Sequence, residues 1–138
     1  MKLFRWFVAV PCAVLVLSAQ PDPPISFRDP EVFGVDSAMP LHTVLSGDWN
    51  GDGKIDLAAI AGLTIWIFEG DGAGRFRPAA KLPLERQPVR VVAADLNSDG
   101  RTDLLVYLCT EIQPNCVPSG DFLTFISEGD FHFSSTFR

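Results

Sequence analysis

The most constraining feature of the sequence is an internal duplication. The nine residues Asp48–Asp56 match the nine residues Asp95–Asp103, at an offset of 47 residues from position 48 to position 95. In both segments an acidic or amide side chain stands at positions one, three, five and nine, and glycine stands at position six. Repetition at this spacing predicts two similar structural units that stack on one another.

Short apolar runs on either side of these segments predict strands. The runs are five or six residues long, rich in Val, Ile, Phe and Trp, and bounded by Gly, Asn, Asp and Pro, which is typical of strands. After residue 19 the sequence shows no sustained helical periodicity. The predicted fold is therefore all-β, with about four antiparallel strands in each unit and a hairpin turn at 70–74. The six runs are 41–45, 57–61, 63–68, 89–94, 104–108 and 122–126.

The duplicated segments carry the oxygen donors that calcium prefers. Ca²⁺ takes six to eight oxygen ligands in a flexible cage, and the side chains at positions one, three, five and nine with the backbone carbonyl of position seven supply most of them. The basic residue at position seven is expected to point its head to solvent. Two calcium sites are predicted, with the ligands Asp48, Asn50, Asp52, Lys54 (carbonyl) and Asp56 in the first loop and Asp95, Asn97, Asp99, Arg101 (carbonyl) and Asp103 in the second.

Two features of the loops bear on this prediction. Gly53 and Gly100 stand where the chain must turn sharply around an ion, so a positive φ is expected at both. The alternative is a pair of solvated turns that bind nothing, because Asp, Asn and Gly favour turns in any case. An EF-hand is excluded, because it requires a Glu at position twelve followed by a helix. Ala59 and Val106 stand at position twelve, inside the apolar runs.

The segments Asp48–Leu57 and Asp95–Leu104 resemble FG-GAP/VCBS repeats, and so does the glycine-rich turn Phe68–Phe76. The resemblance extends over about residues 27–133, with one repeat at 27–75 and another at 76–138. It implies one four-stranded β-propeller-type blade for each repeat, with calcium held in a loop between neighbouring strands. Because propellers have roughly four to eight blades, two repeats predict an incomplete propeller that is extended by further repeats or by self-association.

The first segment reads as an export signal. Residues 1–19 combine a basic start with an apolar run and a small-residue cleavage site near Ala19, and 20–26 read as a linker. The alternative is a membrane anchor, although the apolar run is shorter than the roughly 20 residues of a spanning helix. Export predicts a secreted or periplasmic protein, in which Cys109 and Cys116 form a disulfide rather than two free thiols.

Charge and side-chain inventory limit the functional classes. Cleavage after residue 19 would move the formal net charge from −6 to −8, which disfavours nucleic acid as a partner. The two histidines, His42 and His132, stand in different units without catalytic partners. The sequence therefore predicts a non-enzymatic binding or adhesion scaffold for an extracellular protein or a carbohydrate. The alternative is a fragment or accessory module of a secreted polysaccharide-degrading enzyme.

A sugar could stack on the exposed face of an aromatic ring. Trp49 and Trp66 are the candidates, of which Trp66 is expected in the core and Trp49 at partial exposure.

Overall fold

Eight strands make up all the regular structure in the described part of the chain. A computed structural model describes residues 32, 34–35, 38, 40–110, 116 and 118–138, and contains no helix within them. The all-β prediction is confirmed. The strands are β1 Leu41–Gly47, β2 Asp56–Ala61, β3 Thr64–Gly70, β4 Phe76–Pro83, β5 Pro88–Ala94, β6 Asp103–Cys109, β7 Pro118–Gly129 and β8 His132–Phe137.

The strands form two antiparallel four-stranded sheets, and each strand pairs with the next one along the chain. The first sheet has the order β1-β2-β3-β4 and the second has the order β5-β6-β7-β8. Register is equivalent in the two sheets, because Gly47 pairs with Asp56 in one and Ala94 pairs with Asp103 in the other. Two such sheets are open, blade-like units, in agreement with an incomplete propeller.

The boundary between the sheets differs from the boundary expected between the repeats. The sequence places Phe76 at the start of the second unit, whereas β4 pairs with β3 and completes the first sheet. The reason is local: the turn after Gly70 reverses the chain, with the carboxylate of Asp71 accepting hydrogen bonds from the N–H groups of Ala73 (2.7 Å) and Arg75 (3.1 Å). The structural boundary lies in residues 84–87.

Segments that carry other expectations fall outside the described residues. These are the export signal at 1–19, the linker at 20–26 and most of the stretch between the two cysteines. Cys109 and Cys116 themselves are described and are joined by a disulfide with a Cα–Cα distance of 5.3 Å. Within the described residues, no helix has the length and apolar character needed to cross a membrane.

The two sheets pack head to tail. In β2, Ala58 and Ile60 face the shared core, whereas the residues 47 positions later, Leu105 and Tyr107, alternate in β6 with the buried Leu104 and Val106. Successive side chains of a strand point to opposite faces, so each sheet contributes a different face to the contact. The inner face of the first sheet is therefore equivalent to the outer face of the second.

The two outer faces are covered to different extents. On the first sheet Ala59, Trp66 and Phe68 form a second buried cluster, with Val35 packed against it. The ammonium group of Lys81 lies 3.9 Å from the centre of the Trp66 ring, a cation–π contact. On the second sheet the ring of Phe122 is stacked on Tyr107 at 4.9 Å and stays 41% exposed.

Trp49 belongs to the core, and its expected partial exposure is wrong. Its side chain is 0% exposed and lies in the cluster shared by both sheets. The cause is the neighbouring sheet, because the equivalent residue of the second loop, Leu96, has no sheet beside it in the described residues and is 44% exposed. With Trp66 buried as well, neither indole offers a free ring face on which a sugar could stack.

We expect Trp49→Ala to lower the free energy of unfolding by about 3–5 kcal/mol, because it deletes a fully buried aromatic side chain. Trp49→Phe is expected to cost less, since the indole Nε1 has no hydrogen-bond partner within the described residues. Urea unfolding measures both variants, and Leu96→Ala is the matched control. A cost for Leu96→Ala as large as that for Trp49→Ala would contradict this assignment.

An ion pair fastens the connection between the sheets to β7. The guanidinium of Arg86 lies 2.8 Å from Asp121 Oδ2, and its hydrogen bond holds the pKa of that carboxyl below the usual value. A carboxyl whose folded-state pKa is depressed stabilises the fold above its unfolded-state pKa, about 3.9. That contribution is lost as pH falls through the folded-state value.

We therefore expect Asp121→Asn to be less stable than the parent chain at pH 7, with the difference shrinking as the pH falls below about 4. Denaturant unfolding at a series of pH values measures this. Asp130→Asn, at an exposed carboxyl near the β7–β8 turn, is the control. A difference between parent and Asp121→Asn that stays constant from pH 7 to pH 2 would refute the assignment.

Candidate metal-binding loops

The two Asp-rich loops occupy equivalent places in the two sheets. The first connects the end of β1 to the start of β2, and the second connects β5 to β6. Both follow the same backbone path, with left-handed residues at positions four and six: Gly51 (φ 81°) and Gly53 (φ 78°) in the first loop, Ser98 (φ 64°) and Gly100 (φ 85°) in the second. The predicted positive φ at the sixth position is confirmed.

The carboxylate at position one organises each loop around itself. Asp48 Oδ1 accepts from the N–H of Gly51 at 2.7 Å, and its Oδ2 accepts from the N–H of Gly53 at 2.8 Å. In the second loop Asp95 accepts from Ser98 at 2.6 Å and from Gly100 at 3.0 Å. The loop backbone therefore folds over the first carboxylate.

Positions three and five continue the same pattern. Asn50 Oδ1 accepts from the N–H of Asp52 at 3.0 Å, and Asp52 Oδ1 accepts from the N–H of Lys54 at 2.9 Å. The equivalent bonds in the second loop are Asp99 N–H to Asn97 at 3.0 Å and Arg101 N–H to Asp99 at 2.8 Å. In each loop, three of the predicted ligand side chains thus accept hydrogen bonds from the backbone of their own loop.

The basic side chains at position seven are partly exposed, and each also pairs with a carboxylate of its own loop, which the sequence does not predict. Lys54 Nζ lies 2.9 Å from Asp52 Oδ2, and the guanidinium of Arg101 lies 2.6 Å from Asp99 Oδ2. The physical reason is that an acidic loop attracts the nearest cation. The hydrogen bond between the two side chains lowers the pKa of Asp52 and raises the pKa of Lys54. In the second loop, the backbone hydrogen bond from Arg101 lowers the pKa of Asp99.

The carboxylate at position nine is buried and joins three segments in each sheet. Asp56 accepts from the N–H of Trp49 at 3.1 Å and from the N–H of Gly70 at 2.8 Å. Asp103 accepts from Leu96 at 2.9 Å and from Ser127 at 2.8 Å. Each therefore connects the start of its loop, the following strand and the end of the third strand of the sheet.

Two other carboxylates of the first loop act electrostatically on Asp56. Burial raises the pKa of its carboxyl, and the carboxylates of Asp52 and Asp48 raise it further, although the hydrogen bonds from Gly70 and Trp49 act in the opposite direction. The carboxyl of Asp56 therefore senses the charge of both other acids of its loop. A cation among them would relieve this repulsion.

The donor chemistry of the loops fits calcium, although their side chains are not arranged around a common centre. Within the described residues no group of three or more His, Cys, Asp or Glu is placed to hold a metal ion. Each oxygen of Asp48 has one hydrogen-bond donor, and a carboxylate oxygen retains a second lone pair for a ligand. Lys54 and Arg101 would compete with a bound cation for Asp52 Oδ2 and Asp99 Oδ2.

Gly70 and Ser127 are site residues that the sequence reasoning missed. The Glu-Gly-Asp triplets at 69–71 and 128–130 suggest a different alignment of the two units, in which Gly70 corresponds to Gly129, two residues after Ser127. The signal lies in the Phe that follows each turn, because Gly70 pairs with Phe76 and Ser127 pairs with Phe133. Counting back six residues from that Phe identifies the donor in both sheets.

Comparison with known families agrees with this geometry. A family model described as an FG-GAP-like repeat matches residues 48–106, a segment that contains both Asp-rich loops and the strands between them. No curated protein and no solved structure matches the chain.

We expect Gly70→Ala to destabilise the first sheet, because an added Cβ would lie 1.9 Å from the carbonyl oxygen of Ile55. The backbone must shift, and the N–H of Gly70 would move away from Asp56. The expected cost is about 1–3 kcal/mol, measured by urea unfolding. Gly34→Ala, where nothing lies within 4 Å of the added atom, is the control. Equal stability of the two variants would contradict the packing described.

Proposed function

We propose, from the premise that this chain is an FG-GAP-like repeat protein, that it is a secreted calcium-binding module with a non-enzymatic scaffold role. One observation supports the proposal above the others. The two loops share the same donor residues, the same two left-handed positions and the same buried ninth carboxylate. Ordinary turns of different sequence would have no reason to repeat all three features.

Oxygen-only donors select the class of cation. Asp and Asn side chains with a backbone carbonyl are hard ligands, which suit Ca²⁺ and Mg²⁺ rather than metals that prefer sulfur or imidazole. Mg²⁺ demands near-ideal octahedral geometry and gives up its water reluctantly, whereas Ca²⁺ accepts irregular cages of six to eight oxygens. A short flexible loop with four side-chain donors therefore favours Ca²⁺.

Bound calcium would act on stability rather than on chemistry. The ninth carboxylate lies at the first residue of β2 or β6 and also holds the end of the third strand. An ion shared between this carboxylate and the start of the loop would fasten the loop to two strands at once. Because the ligands come together only in the folded chain, the binding free energy adds to the free energy of unfolding.

A scaffold role agrees with the placement of the polar groups. His42 lies in β1 and His132 lies in β8, so the histidines belong to different sheets. The formal net charge of −6 suits cations more than nucleic acid. A partner, an extracellular protein or a carbohydrate, would contact the loops that the calcium ions hold in place.

Thermal unfolding with millimolar calcium, with excess chelator and with magnesium tests this proposal. Extracellular calcium sites bind at roughly 10⁻⁴–10⁻³ M, and calcium at ten times its Kd adds about 1.4 kcal/mol per site. We expect calcium to raise the Tm and magnesium to have a much smaller effect. Asp52→Ala and Asp99→Ala should each remove at least about half of the calcium-dependent stabilisation.

Glu85→Ala is the control for those variants, because it removes an exposed carboxylate outside both loops and should leave the calcium response intact. A cooperative transition with the same Tm in calcium and in chelator would refute calcium binding, and would leave the loops as ordinary turns.

A further inference from the structure

The two Asp-rich loops contact each other directly. The N–H of Asp48 donates to the hydroxyl of Thr102 at 3.0 Å, and the N–H of Thr102 donates to the carbonyl of Asp48 at 2.8 Å. Asp48 is the first residue of its loop, and Thr102 is the eighth residue of the other. The backbone of a predicted calcium ligand in one loop is thus held on both sides by a residue that adjoins two predicted ligands, Arg101 and Asp103, in the other.

Ser127 makes a second connection between the loops. It is fully buried in β7, and its hydroxyl donates to the carbonyl of Trp49 at 2.5 Å. Its N–H donates to Asp103 at 2.8 Å, and its carbonyl accepts from Arg101 Nε at 3.2 Å. A single buried residue therefore contacts the second residue of the first loop and the seventh and ninth residues of the second loop.

The sequence differs between the repeats at the positions that make these contacts. A Cβ at Gly47 would lie 2.6 Å from the side chain of Thr102, so the close approach requires glycine there. The residue equivalent to Gly47 in the second repeat is Ala94, which has a Cβ. The residue equivalent to Thr102 in the first repeat is Ile55, whose aliphatic side chain is 58% exposed. Glycine and threonine therefore occur where the loops meet, and other residues stand at the two equivalent positions.

We infer that Thr102 and Ser127 are positioning residues that couple the two loops, so that a cation in either loop raises the affinity of the other. The inference rests on the proposed calcium binding. An ion in the second loop would fix the Arg101 carbonyl and Asp103, and so hold Thr102 and Ser127 in the positions that support the first loop. The first loop would then lose less conformational freedom when it binds its own ion, and the effect must be reciprocal.

Calcium titration of the full chain by calorimetry measures this coupling. Asp99→Ala reports the binding constant of the first loop alone, and Asp52→Ala reports that of the second. The constant for binding two ions to the parent chain, divided by the product of the two single-loop constants, gives the coupling factor. We expect a factor of about five or more.

To test the positioning residues, each substitution is made in the parent chain, in Asp99→Ala and in Asp52→Ala, and the coupling factor is measured again. Thr102→Val keeps the shape of the side chain and removes the hydroxyl that accepts from Asp48, so the factor should fall toward one. Thr102→Ser keeps that hydroxyl and should restore the parent factor, which loss of packing alone would not explain. Ile55→Val, at the equivalent position of the first loop, is the control and should change nothing. Ser127→Ala should act like Thr102→Val.

Each result discriminates. A coupling factor of one or less in the parent chain, with both loops binding calcium, would overturn the coupling and leave the proposed function standing. A factor that Thr102→Val and Ser127→Ala leave unchanged would overturn the role of these residues. Absence of calcium binding in the parent chain would remove the proposed function, and the coupling with it.

Discussion

The buried carboxylates at the ends of the two loops are the interaction on which the rest of the structure depends. Asp56 and Asp103 are both 0% exposed, and a buried charge is tolerated only when it is well hydrogen-bonded. Each receives two backbone N–H groups, one from its loop and one from the end of the third strand. One side chain therefore holds together the start of the loop, the start of the following strand and the end of the third strand.

The head-to-tail packing of the sheets explains why two nearly equivalent repeats have different surroundings. Trp49 is in the core because the second sheet lies over it, whereas its counterpart Leu96 has no neighbouring sheet in the described residues. The same relation brings Thr102 against Gly47 and Ser127 against the carbonyl of Trp49. The loops of the two repeats therefore touch only because their sheets stack in this sense.

Much of the fold follows from local chemistry that can be predicted from the sequence. Apolar runs between Gly, Asn and Asp predict the strands, and the left-handed backbone at Gly53 and Gly100 follows from the residue type. What depends on the neighbouring sheet could not be predicted in this way. The burial of Trp49 and the roles of Thr102 and Ser127 arise from long-range contacts, and the heads of Lys54 and Arg101 are placed by the charge of the loop itself.

The proposed calcium binding assigns one ion to each of the two loops. The most direct measurement is the number of calcium ions bound per chain at saturation, by equilibrium dialysis of the purified full chain. We expect two ions for the parent chain, and one ion for a chain in which either Asp48 or Asp95 is replaced by Ala. No bound calcium at millimolar concentration, or two ions still bound after either replacement, would contradict it.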